Sequence, residues 1–310
     1  MGELALVVGA GVIGSRVAGM LAERGDRVTL VSRRGAGPAE PGAVTRVAAD
    51  AADAGAMARL AEGVAVIYNC VNPPYHRWRR SAASVLGAAE RSGAVLVTLS
   101  NLYGYGPGGP GGYAEAHPMT EATPLAATGP KGRIRARVWQ DALAAHQAGR
   151  VRVAEVRAAD FVGPGAQSAL GERIVRRVRQ GKSVSVLGRA DRPHTWSFTE
   201  DVAAMLVVAG TDPTAWGRAW HVPSSEPRTQ REVISDMGAA AGTGQVRVSA
   251  VPSAVLAGMG LAWPLMRELR ETEYQFREDF VMDSSAAQAT FGLKPTAWAE
   301  IVAVTALGRA

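Results

Sequence analysis

The chain has 310 residues, 47% hydrophobic and 20% charged, which excludes a disordered chain and suffices for one large α/β domain with an appended lobe. Its formal charge is +6, but the cations are scattered arginines with only three lysines (Lys131, Lys182, Lys294), not one tract with interleaved aromatics, so no nucleic-acid partner is expected. The single cysteine, Cys70, excludes an internal disulfide, and a cytoplasmic location is expected.

The chain opens on Leu4–Val8, which reads as a first strand and not as a secretory segment. Further β-rich runs at residues 27–31, 45–48, 64–70, 95–100 and 151–157 alternate with helical patterns at 13–24, 54–62, 77–92 and 131–149. That alternation predicts a Rossmann-type, doubly wound parallel sheet: a dinucleotide-binding domain over residues 1–165 and a smaller, mainly substrate-binding lobe over 166–310, part of which returns to the core. The longest other apolar run, 254–266, contains Pro264 and is too short to span a bilayer, so no membrane partner is expected.

Val7-Val8-Gly9-Ala10-Gly11-Val12-Ile13-Gly14 places G-x-G-x-x-G where a strand gives way to a helix. The glycines serve the tight turn, the approach of backbone to pyrophosphate and helix–strand packing, and the amides near Val12 and Ile13 face the anion. With 36 glycines a lone match carries little weight, but the flanking strand and helix supply the context the motif requires. The second strand ends at Ser32-Arg33-Arg34, where an NAD-preferring protein usually carries Asp or Glu for the ribose 2′-hydroxyl. Arg33 and Arg34 are either solvated charges or the grip on a 2′-phosphate; the missing carboxylate favours NADP(H) over NAD(H). Asp50, after the third strand, either accepts from the adenine amino group or caps the helix from Ala51 onward. Ala51, Cys70, Val71 and Ser100 complete the expected cofactor contacts, and no metal is expected.

Residues 103–130 are dense in Gly and Pro, and such a loop at a strand's C-terminal end is where open α/β sheets bind ligands. Ser100-Asn101-Leu102-Tyr103-Gly104-Tyr105-Gly106-Pro107 resembles the S-S/T-x-x-V-Y-G stretch of the extended short-chain dehydrogenase/reductases, the NAD(P)-dependent epimerase/dehydratase group. Arg157-Ala158-Ala159-Asp160-Phe161-Val162-Gly163-Pro164 resembles their R-p-x-N-v-y-G-P, and Gly181-Lys182-Ser183-Val184, Gly188, Glu200-Asp201-Val202-Ala203 and Phe291-Gly292-Leu293-Lys294-Pro295 are similar to later landmarks.

The resemblance implies a Tyr-x-x-x-Lys pair with a Ser or Thr, tyrosine passing the proton and lysine binding the nicotinamide ribose. Aligned on Lys131, the tyrosine position holds Ala127, and the Ser/Thr position holds Asn101. Lys131 keeps its ribose role; Asn101 is a candidate for binding a carbonyl or enolate oxygen. Tyr103 falls where similar sugar dehydratases carry a catalytic glutamate, and is either the replacement proton donor or a tyrosine packed under the glycine loop. His194 aligns with a substrate-binding arginine and Asp160 with a substrate-facing asparagine; His194 is either a proton-transfer group or a surface histidine. Asn72 and Trp196 are further substrate contacts, and Trp196, Phe198, Trp263, Tyr274 and Phe276 are candidate pocket walls, with 254–266 a candidate cap over the cleft. A cleft so lined suits an apolar small molecule better than a sugar nucleotide.

Three functions compete. The first is an NADP(H)-dependent oxidoreductase or epimerase acting on a carbonyl or hydroxyl of a small organic molecule. The second is a non-redox isomerase, dehydratase or cyclase, and the third a silent dinucleotide sensor. The resemblance also implies a homodimer through the helices at 77–92 and 131–149.

Overall fold

The computed structural model describes residues 2–35, 44–106, 118–251 and 271–308. The glycine- and proline-rich residues 107–117, and the apolar stretch 254–266 with Trp263, therefore lie outside the described residues. In chain order β1 (Leu4–Val8), α1 (Val12–Glu23), β2 (Arg27–Ser32), β3 (Val44–Ala48), α2 (Ala54–Leu60), β4 (Val66–Asn69), α3 (Tyr75–Ser92), β5 (Val95–Asn101), α4 (Pro130–Gln147) and β6 (Arg152–Ala158) build the first half. After them come β7 (Asp160–Val162), α5 (Glu172–Arg179), β8 (Val184–Leu187), β9 (Trp196–Phe198), α6 (Thr199–Thr211), β10 (Arg218–His221), α7 (Gln230–Ala240), β11 (Val248–Val251), α8 (Ser285–Phe291) and α9 (Trp298–Leu307). No described helix is long and apolar enough to cross a membrane.

The central sheet is seven-stranded in the order β10-β6-β5-β4-β1-β2-β3, and every pairing in it is parallel. Strands covered on both faces need apolar side chains in both directions, which is why β1 and β4 read as continuous hydrophobic runs and not as alternation. Ala5 and Val7 pack with α1 and α6 on one face, whereas Leu6 and Val8 pack with α2, α3 and α4 on the other. Order reverses between β1 and β4, and the crevice above that switch point is where such sheets hold ligands.

Helix boundaries follow local chemistry. Asp53 caps α2 by accepting from Gly55 and Ala56 N–H, and Pro130 opens α4 with its φ already helical. α3 starts at Tyr75, two residues before the apolar periodicity indicates, because Pro74 stands at its N-cap. α6, β10 and α8 come from beyond residue 165 yet join the main core, so lobe and sheet interleave.

The lobe has its own core of Leu170, Ile174, Val186, Trp196, Phe198, Ile234 and Ile301. Two short parallel ladders stiffen it, β7 with β9 and β8 with β11. The first sets Asp160 opposite Trp196 at the foot of the cleft. A small fourth cluster, including Leu102, Tyr105, Met119, Phe280 and Met282, joins lobe to sheet beneath the cleft.

Candidate active site

The turn from β1 into α1 is built for close approach. A Cβ on Gly9, whose φ is 112°, would lie 2.7 Å from the Cys70 carbonyl, and one on Gly14 would lie 1.8 Å from the Gly9 oxygen. At Gly11 a Cβ would meet nothing within 4 Å. Gly11 thus presents bare backbone to open space, while Gly9 and Gly14 serve the turn and its packing. Helix α1 has neither a side-chain cap nor an acid in its first turn, so its leading amides and positive dipole end are left for an anion. These features fit a dinucleotide pyrophosphate.

Two adjoining cavities, of about 300 Å³ and about 250 Å³, run to either side of this turn and share Gly11, Cys70, Val71, Asn72 and Gln167. Burial pushes the Cys70 thiol up to about 12, which leaves it an inert wall.

The larger cavity takes in Gly9, Ser32, Arg33, Asp50 and Ala51. Arg34, an exposed residue in the turn after β2, does not line it. Asp50 caps no helix. One oxygen accepts the Ala52 N–H at 3.0 Å and the other the Arg77 guanidinium at 2.5 Å, and these bonds hold its carboxyl below the usual range. Arg77, from the first turn of α3, is a second cation in the groove that the sequence pattern does not mark.

The smaller cavity takes in Val12, Ile13, Ser100, Asn101, Tyr103, Lys131 and Asp160. The Asn101 side-chain oxygen accepts the Tyr103 N–H at 3.2 Å, so the NH2 end remains as its donor. Tyr103 rides on the 3₁₀ turn Leu102–Tyr105 and reaches the cavity instead of packing under the loop. Burial first, and then the Asp160 charge, raise its hydroxyl well above the ordinary tyrosine value. Lys131 Nζ lies 5.3 Å from the centroid of the Tyr75 ring, another cavity wall. Ala127 does not line the cavity; its methyl sits against Gly132, where an added Cβ would approach it to 2.4 Å.

Two substrate contacts expected from the sequence are placed differently. His194 is 1% exposed, neither a surface histidine nor part of the cavity wall. Its ring stacks on Phe276 and Phe280, with Trp196 tilted beside it, and its nitrogens engage the Gln275 carbonyl at 3.1 Å and Asp160 Oδ2 at 3.0 Å. Trp196 also lies off the cavity, donating its indole N–H to the Arg228 carbonyl. Phe198 and Phe276 belong to the lobe core, and Tyr274 meets Phe280 edge-on. Beside Tyr103, the aromatic walls are instead Tyr75, Phe161 and Phe280, which no local sequence pattern marks.

Beneath the floor lies a buried polar chain. Ser100 hydrogen-bonds Glu155, Glu155 accepts from Arg157 Nε at 2.6 Å, and Arg157 donates to the Tyr105 hydroxyl at 2.8 Å. Because His221 Nδ1 faces the Asp283 carbonyl, that nitrogen carries the proton, and Nε2 accepts from Tyr105 at 2.7 Å. Burial depresses His221 to about 4. The chain ties Tyr105, the last residue of the 3₁₀ turn that carries Tyr103, to the end of β5 at Ser100.

The NAD dependent epimerase/dehydratase family model matches residues 5–222. No curated protein sequence matches the chain. Among solved structures, an epimerase from Methanothermobacter thermautotrophicus superposes with a TM-score of 0.80 at 16% identity, over 99% of this chain and 91% of that one. The dTDP-glucose 4,6-dehydratase DesIV of Streptomyces venezuelae, as a double mutant with NAD and DAU bound, gives 0.76 at 20% identity over 98% and 95%. The UDP-glucose 4-epimerase of Thermotoga maritima, with UDP-glucose, gives 0.77 at 16% over 98% and 97%.

Two stability measurements check the buried chain. Arg157→Met strands a buried carboxylate and is expected to cost about 3–5 kcal/mol in urea unfolding, with much of that recovered when Glu155→Gln is added. His221 is depressed in the folded state, so the unfolded chain binds the extra proton. Stability is then full above about 6.5 and falls as the pH drops toward about 4, and His221→Asn should flatten that part of the profile.

Proposed function

Because the chain belongs to the NAD dependent epimerase/dehydratase family, we propose that it is an NADP(H)-dependent oxidoreductase or epimerase acting on a carbonyl or hydroxyl carbon of a small, apolar organic molecule. The observation that carries the proposal is the continuous groove over the bare Gly11 backbone, with Arg33 at one end and Asn101, Tyr103, Lys131 and Asp160 gathered at the other.

The residues present suit NADP(H). Gly11, Val12 and Ile13 hold the pyrophosphate, Arg33 with Arg77 nearby meets the 2′-phosphate, and Lys131 holds the nicotinamide ribose. When bound, the nicotinamide supplies or accepts a hydride. The Asn101 NH2 and the Tyr103 hydroxyl, which its raised value keeps protonated at neutral pH, donate to the substrate oxygen and stabilise negative charge there. Leu99, Leu102, Phe161 and Phe280 supply apolar walls. The described lining carries only Lys131 and Arg135 as cations, and Arg135 is stacked on Trp78 at 3.7 Å, which argues against a nucleoside diphosphate substrate.

Ala127 in place of a tyrosine supports a second reading, a non-redox isomerase, dehydratase or cyclase, which product formation without nicotinamide turnover would reveal. A homodimer through α3 and α4 goes with the proposal: a cavity of about 410 Å³ lies open between them, where Leu86, Val138 and Ala142 stand beside Arg79, Arg80 and Asp141. Gel filtration at micromolar concentration is expected to give a dimer, and a monomer would remove that part.

Calorimetry is expected to show NADPH binding more tightly than NADH, with Arg33→Ala weakening NADPH by about tenfold, the size of one exposed-to-partly-buried phosphate contact. Absorbance assays with a panel of aromatic and alicyclic ketones are expected to show NADPH consumption. Equal affinity for both dinucleotides, or no turnover by folded, NADPH-bound protein across the panel, would overturn the proposal.

A further inference from the structure

The hydrogen bonds around His194 leave an imbalance of one proton. Nδ1 lies 3.1 Å from the Gln275 carbonyl oxygen, which can only accept. That leaves Nε2 facing Asp160 Oδ2 at 3.0 Å. A neutral imidazole carries one N–H and can donate to only one of these two acceptors at a time, in a site where His194 is 1% exposed. Satisfying both contacts together takes one further proton, shared between Nε2 and Oδ2. The plane of the ring is held by its neighbours: Phe276 at 4.8 Å and Phe280 at 5.2 Å stack on it, and Trp196 closes in at 4.6 Å.

Only one member of the pair reaches the cavity. Asp160 lines it, with a side chain 15% exposed, whereas His194 stands behind. Tyr103 and Asn101 line the same cavity, and the Tyr103 hydroxyl feels the Asp160 charge. Tyr103 itself holds its proton too firmly for efficient transfer, which requires a group that gives and takes a proton near the working pH.

We propose that Asp160 is the catalytic acid and base of this site, with His194 a positioning residue that shares and stores its proton. The role rests on the oxidoreductase or epimerase reading above. In the reductive direction a bound reduced dinucleotide would supply the hydride to the substrate's carbonyl carbon. Its oxygen forms an O–H bond with the proton leaving the Asp160–His194 pair. The pair is left as carboxylate and neutral imidazole, and regains one proton from water. In the oxidative direction the unprotonated pair takes the hydroxyl proton.

The test uses full-length protein saturated with NADPH and labelled with 15N-histidine. The wild type is expected to show a far-downfield proton resonance coupled to the His194 ring. Asp160→Asn should lose it while keeping its NADPH affinity, because the amide donates to a neutral imidazole and preserves the fold. With the ketone best reduced in the panel, Asp160→Asn is expected to lower kcat by about 10²–10⁴-fold, the range for removing a general acid–base. Tyr103→Phe should keep the resonance and lose about tenfold or less. A wild type without the shared proton, or Asp160→Asn turnover within about tenfold of wild type, overturns the proposal. If no ketone is reduced, the function reading fails and takes the role of Asp160 with it, and the resonance still reports separately on the pair.

Discussion

The site depends on a length of backbone that no side chain covers. Between β1 and α1 the chain must turn sharply against Cys70, keep the helix close to the strand and still leave its amides open; Gly9 and Gly14 meet the first two demands, and Gly11 leaves open space where a side chain would stand. From that follow the uncapped α1, its acid-free first turn and the groove running from Arg33 to Asp160. The parallel sheet delivers the remaining groups because all its strands end on the same side, so Cys70, Ser100 and Asn101 arrive at one rim.

The opposite end of the groove is governed by polar groups kept out of water. Glu155 and Arg157 are each about 3% exposed and satisfy each other, Ser100 and Tyr105, which makes the floor rigid and not reactive. Asp160 and His194 differ in one respect: their pair reaches the cavity. The floor is a satisfied polar network, whereas the wall sets a paired carboxylate at the edge of the cavity.

Much of this was legible in the sequence for physical reasons. A run as short and β-branched as Leu-Ala-Leu-Val-Val fits a strand buried on both faces, and the glycine turn has a meaning only between a strand and a helix. Asn101, Tyr103, Lys131 and Asp160 stand within a few residues of strand and helix ends, so their arrival at the cavity follows from topology. His194 read as a loop histidine because its partners are remote: Asp160 precedes it by 34 positions, and Gln275 follows it by 81. Its burial is made by pairing, β7 with β9 and residue 194 bridging to Arg228 and Phe280, and no local pattern encodes that. Arg77 escaped notice for a related reason, since the first turn of α3 points at the groove only because Pro74 starts the helix early.

A crystal structure of the protein grown with millimolar NADP+ tests the account most directly. The pyrophosphate is expected on the amides of Gly11, Val12 and Ile13, with the 2′-phosphate beside Arg33 and the nicotinamide ring in the cavity walled by Tyr103 and Asp160. An empty groove at that concentration, or a dinucleotide seated anywhere other than the β1–α1 turn, would contradict it.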